Sequence, residues 1–94
     1  NENSWRILFS IANVFSYNEY FKEAIQMWQK TFDCMPKPRY TDSFEAMAQC
    51  CVRMGDHESA VEYYKKELEL LREDWGLKYG AEVDALEEKI RALQ

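Results

Sequence analysis

Helix breakers are scarce in this chain. Its 94 residues include three glycines and two prolines, so few positions interrupt a helix and long helices are expected. Alternating β-branched runs bounded by turn residues are missing too, which removes the usual signal for strands. Histidine occurs once, at His57, with no second ligand at metal-binding spacing beside it. In the opening turn of a helix, a packing or solvent-exposed role suits it better than catalysis. Cysteine is odd in number: Cys34 stands alone, and Cys50 and Cys51 are adjacent, projecting roughly 100° apart on a helix. Neither a disulfide framework nor a CxxC redox pair follows, so the thiols read as core residues of a cytoplasmic, reducing-compartment protein. The longest apolar stretch, Ile7 to Phe15, is broken by Ser10 and Asn13 and is too short to span a bilayer. It also lacks the basic lead and small-residue exit of a signal peptide. No GxGxxG, P-loop or HExxH motif is present, and neighbours such as Glu87 and Glu88 are ordinary helix solvation. No enzyme activity, metal or cofactor is indicated. The chain opens on Asn1 instead of Met, which is expected of a segment of a larger protein.

Charge is plentiful and uneven. Net charge is −5; residues 1 to 40 carry five basic and four acidic side chains, and residues 41 to 94 carry seven and thirteen. An acidic second half opposes phosphate-rich partners, so nucleic acid is not an expected ligand. Glu58, Glu62, Lys65, Lys66, Glu69 and Glu73 read as the solvated face of one helix.

The informative feature is a recurrence. Ala24 follows Ala12 by twelve residues, and Ala48 with Ala60 repeats that pair thirty-six residues later. The first copy reads Leu8, Ile11, Ala12, Phe15, then Ala24 and Trp28, then Pro36; the second reads Phe44, Met47, Ala48, Cys51, then Ala60 and Tyr64. Spacings of three and four put each set on one helix face. Two helices that are each apolar on one side must pair. A small residue on each lets the axes approach closely, and an aromatic one turn on fills the space where they splay.

This pattern resembles the tetratricopeptide repeat, a helix-turn-helix unit with small residues at fixed positions in both helices and a closing proline. The resemblance implies an all-α fold, a right-handed superhelix of antiparallel helical hairpins with about five helices. Repeat one spans about residues 5–38, repeat two about 41–75, and a capping helix about 81–93. The first helix is expected from about Ser4 to Ser16 with Asn3 or Ser4 as its cap, and the turn at Tyr17, Asn18 and Glu19 lacks the family's glycine. The second runs from about Glu19 to Cys34 and stops before Pro36 and Pro38, leaving Met35 to Tyr40 as a link between repeats. Thr41 or Asp42 caps the third helix, which ends at Gly55, and Asp56 caps the fourth. Arg72 stands where the first copy has Pro36, so the fourth helix continues through Val61, Tyr64, Leu68 and Leu71 to Trp75. Gly76 and Gly80 then allow a reversal into a last helix, Ala81 to Leu93, whose single stripe of Val83, Leu86, Ile90 and Leu93 suits a cap.

The family binds peptides in the groove lined by the first helix of each hairpin. On this chain that face carries Arg6, Phe9, Ser10, Asn13 and Tyr17 from one copy, and Asp42, Glu45, Ala46, Gln49 and Arg53 from the other. Asn13 and Gln49 can bond a peptide backbone, Arg6 and Arg53 a carboxylate, and Phe9 can anchor an apolar side chain. A subset of the family clamps C-terminal carboxylates of chaperone tails; only Asn13 matches its pattern, with Phe9 in place of a lysine, Ala46 in place of an asparagine, and no third hairpin. The expected function is thus a protein or peptide scaffold. The alternative is a structural or self-assembling segment of a longer solenoid, meeting its neighbour through an exposed edge at Trp5, Phe9 or Phe21. A third, a thiol-regulated domain, would require an accessible cysteine.

Overall fold

The computed structural model describes residues 4–94 and is all-α, with no strand among the described residues. Five helices follow one another: α1 (Ser4–Tyr17), α2 (Phe21–Cys34), α3 (Asp42–Arg53), α4 (His57–Trp75) and α5 (Ala81–Leu93). Each packs on its neighbour in sequence, so α1 with α2 and α3 with α4 form hairpins, α2 joins them through α3, and α5 closes the far side of α4. The result is a slab of 33 × 32 × 15 Å.

The alanines occupy the close contacts that their size predicts. Ala12, Ala24, Ala48 and Ala60 are all 0% exposed. Around the first pair lies a core of Trp28, Met47 and Cys50, walled by Phe9, Phe15, Phe21, Phe32 and Phe44, with Phe32 and Phe44 stacked at 4.3 Å. A second core combines Ala48, Val61, Tyr64 and Leu71 with Leu86 and Ile90 of α5. The capping helix therefore covers an apolar face of α4 that the hairpin alone would leave in water.

Three readings of α1 are corrected. Trp5, expected at an exposed edge, is 4% exposed, set against Phe9 and Tyr40. Leu8 is only half-buried and lies outside both core clusters, and Ile11 is exposed. The buried arc of α1 centres on Trp5, Phe9 and Ala12, about 60° round the helix from Leu8. Helix bounds shift slightly as well. The second helix begins at Phe21 instead of Glu19, and Thr41 holds the cap position of α3 without a side-chain hydrogen bond. Ser4 lies inside α1, while Asn3 lies outside the described residues. Asp56 does cap α4, its Oδ1 accepting the Ser59 N–H at 3.1 Å, and α4 runs unbroken for 19 residues to Trp75.

The glycine missing from the first turn is replaced by strain. Glu19 adopts φ +67°, in the left-handed region, thirty-six residues before Gly55 at φ +79°. Both turns close with the same bonds: Tyr20 N–H to Phe15 O and Asp56 N–H to Cys51 O, at 2.8 and 2.9 Å. The shared hydrogen bonding imposes the conformation whether or not glycine is there. A side chain in this region costs about 1 kcal/mol. Glu19→Gly should therefore raise stability by roughly that amount, measured by urea denaturation; a loss of stability would mean that the Glu19 side chain has a role of its own.

Candidate functional site

On one face of the slab α1 and α3 lie side by side, and the space between them is a trough. Its upper part, about 310 Å³, is lined by Asn13, Ser16, Tyr17, Ala46, Gln49 and Arg53 over a floor of Trp28 and Cys50. The adjoining part, about 340 Å³, is lined by Phe9, Asn13, Asp42, Glu45, Ala46 and Gln49. Asn13, Ala46 and Gln49 belong to both, so the two hollows are continuous. Five of the six groove residues expected from the sequence, Phe9, Asn13, Tyr17, Gln49 and Arg53, are thus brought together.

Arg6 is the exception. Its guanidinium lies 4.7 Å from the Trp5 ring centre and 5.8 Å from that of Tyr40, and it lines neither hollow. Cation–π attraction to two aromatic faces holds it toward the link between hairpins. Ser10, though exposed, also lies outside the trough lining.

Arg53 is in the trough but already engaged. Its Nη1 donates to the Ser16 carbonyl at 3.2 Å and to Ser16 Oγ at 3.1 Å, and the guanidinium lies over the Phe21 ring at 4.9 Å. It therefore fastens the end of α3 to the end of α1, and its remaining N–H groups are what a ligand can meet. Gln49 Nε2 donates to Glu45 Oε1 at 3.3 Å, and Lys89 of α5 reaches the same oxygen at 3.4 Å. Lys89 is a neighbour of the trough that the linear sequence does not reveal, because only the packing of α5 brings it there, whereas Ser16 lies on α1 one turn beyond Asn13.

The thiols are placed for packing. Cys50 and Cys51 are each 1% exposed, and Cys50 belongs to the core around Ala12 and Ala24. Burial pushes both thiols up, Cys51 to about 11, which keeps them in the unreactive protonated form. Cys34 is half-buried.

Two further arrangements lie outside the expected site. Thr31 and Ser43 are both 0% exposed and share a hydrogen bond at 2.7 Å, joining α2 to α3 through hydroxyls. The link between hairpins is locked by Asp74: its Oδ2 accepts from the Arg39 backbone N–H at 2.9 Å and from Arg39 Nε at 2.8 Å, and Oδ1 accepts from Nη2 at 3.0 Å. These bonds hold the Asp74 carboxyl at about 2. Trp75 Nε1 donates to the Arg39 carbonyl at 2.6 Å, completing the clasp.

Among the described residues, no helix is long and apolar enough to cross a membrane. No protein-family model matches the chain, and no curated protein matches it.

Proposed function

We propose that this chain is a protein-interaction module of the tetratricopeptide-repeat type, acting in the cytoplasm and taking an extended peptide segment in the trough between α1 and α3. The observation that supports this reading most is the continuity of the two hollows through Asn13, Ala46 and Gln49. Two amide side chains facing one trough offer both donors and acceptors, which suits the repeating N–H and C=O of a backbone. Phe9 and Ala46 supply apolar contact beside them, and Arg53 with Tyr17 gives one end a polar close.

Display of random dodecapeptides tests the reading. Wild-type protein should enrich peptides, and the Asn13→Ala, Gln49→Ala double variant should bind them about tenfold or more weakly while melting at the same temperature. Absence of enrichment, or equal binding by the double variant, would sink the assignment. Arg53 is a poorer probe, since its loss also unties α3 from Ser16.

A second reading, stacking on a further helix, has its own observation. Ile7, Ile11 and Val14 are 62%, 40% and 62% exposed and form one stripe on α1. Thirty-six residues on, their counterparts Ser43, Met47 and Cys50 are at most 1% exposed beneath α2. The stripe is where a preceding hairpin, or another copy, would lie in the relation that α2 holds to α3. Light scattering separates the cases for self-assembly: a concentration-dependent dimer that becomes monomeric in Ile7→Glu, Val14→Glu supports it, and a wild-type monomer at millimolar concentration rejects it.

A further inference from the structure

A third hollow, distinct from the trough, opens where the start of α3, the end of α4 and the start of α5 converge. It measures about 400 Å³ and is lined by Tyr40, Asp42, Leu71, Trp75, Leu77 and Glu82. The Tyr40 and Trp75 rings have centres 6.3 Å apart and are inclined by 44°, giving two aromatic walls. Trp75 is held in place by its bond to the Arg39 carbonyl, and Arg39 by Asp74. Leu71, 4% exposed, and Leu77 give the hollow an apolar base.

Its charge is one-sided. Asp42 and Glu82 line it, and neither forms an ion pair among the described residues. One turn before Leu71 on α4, Glu67 is 3% exposed, and its Oε1 has no hydrogen-bond partner. The groups that act on Glu67 are Asp42 and Glu45 of α3 and Glu82 and Lys89 of α5, so four carboxylates gather around one ammonium, which is itself paired with Glu45.

An anion is repelled by such a hollow, and a neutral apolar group would leave its carboxylates without a counter-charge. The carboxylates also do not converge as a metal-ligand set among the described residues. A cation on a hydrocarbon stem satisfies every wall at once: the stem lies on Leu71 and Leu77, the charge faces the rings, and the carboxylates neutralise it. Tyr40 already accepts the Arg6 guanidinium near its ring, at 5.8 Å.

We propose that this cavity binds an alkylammonium group, carried by the lysine side chain of a peptide or by a free diamine. Glu67 adds a linked effect. Its carboxyl is pushed up to about 7, first by burial and then by Glu45, with Lys89 opposing and Glu82 and Asp42 reinforcing. Glu67 lies outside the lining, one turn before Leu71, and a cation bound by Asp42 and Glu82 lowers that value, so binding at neutral pH releases protons.

Titration of the full chain with hexylammonium chloride, followed by NMR at the Trp75 indole and the Leu71 and Leu77 methyls, tests the site. Saturable shifts in the millimolar range are expected, with 1-hexanol about tenfold weaker or worse and hexanoate silent. Asp42→Asn with Glu82→Gln should weaken hexylammonium about tenfold. Calorimetry in buffers of different ionisation enthalpy should show proton release that Glu67→Gln abolishes while binding persists. Equal binding of hexanol and hexylammonium, no saturable shift, or no effect of the double substitution would each overturn the proposal. Acetyl-Ala-Lys-Ala-amide and 1,4-diaminobutane, used as competitors, then identify the source, and competition by either supports the site. Hexylammonium has no peptide backbone, so its failure to bind and a failure of the trough to enrich peptides are separate results.

Discussion

Trp28→Ala should remove a large share of the chain's stability. Trp28 is 2% exposed and sits in the core that joins α1, α2 and α3, with Phe9 6.2 Å from its ring and Ala12, Ala24, Met47 and Cys50 around it. Truncating a buried tryptophan costs about 3–5 kcal/mol through lost transfer energy and the cavity left behind. A domain of this length has roughly 5–14 kcal/mol to lose. Because both hairpins use this core, the loss should appear as one cooperative transition instead of local fraying. Trp28→Phe is the informative companion. The indole N–H is buried without an acceptor, so phenylalanine removes an unsatisfied donor while keeping most of the apolar contact. It should cost well under half of what alanine costs. Equal losses in the two variants, read by urea denaturation, would show that the ring is not filling the joint between hairpins.

Glu67→Gln should stabilise the protein at pH 8 and lose that advantage at pH 4.5. With its carboxyl pushed up to about 7 in the fold, Glu67 is neutral in both folded and unfolded chains below its ordinary value of 4.5. Above that value the unfolded chain ionises first and binds fewer protons than the native state. Stability therefore falls as pH rises from 4.5 through 7 and levels beyond. The full effect is about 3 kcal/mol. Glutamine does not titrate, so its stability should be flat from this source, and the comparison rests on the slope instead of the absolute value. Asp74 does not interfere. Held near 2, it contributes stability that is present above its ordinary value of 3.8 and lost only as pH falls below it, outside this window. Denaturation midpoints at pH 4.5, 6 and 8 give the test; parallel pH profiles for wild type and variant would refute the assignment of the slope to Glu67.

Glu67 also shows how far linear reasoning reaches. Its register, three residues after Tyr64 and four before Leu71, places it on the buried face of α4, while its residue type argues for solvent. Periodicity was the available signal, and charge obscures it. The trough was more legible, since the first helix of each hairpin carries its lining at a constant offset of thirty-six residues. Arg6 belongs to the same face by offset, yet two aromatic rings draw it away, and one of them, Tyr40, comes from the link between hairpins. The Arg39 to Asp74 clasp joins residues thirty-five apart in sequence, and no local spacing announces it.

What the sequence by itself determined is local: five helices, their approximate ends, the Asp56 cap, and the four alanines at which axes meet. These follow from φ restrictions, capping chemistry and the 3.6-residue period, all of which act within a few residues along one chain. Only the tertiary structure decided which faces are covered. It buried Trp5 and left Ile7, Ile11 and Val14 exposed, turned Arg53 into a tie, and gathered Asp42, Glu82 and Trp75 around one hollow. The physical reason is that exposure and charge environment are properties of the neighbouring helix. A residue's own register sets the direction in which it points, and the packing of the next element sets what it meets.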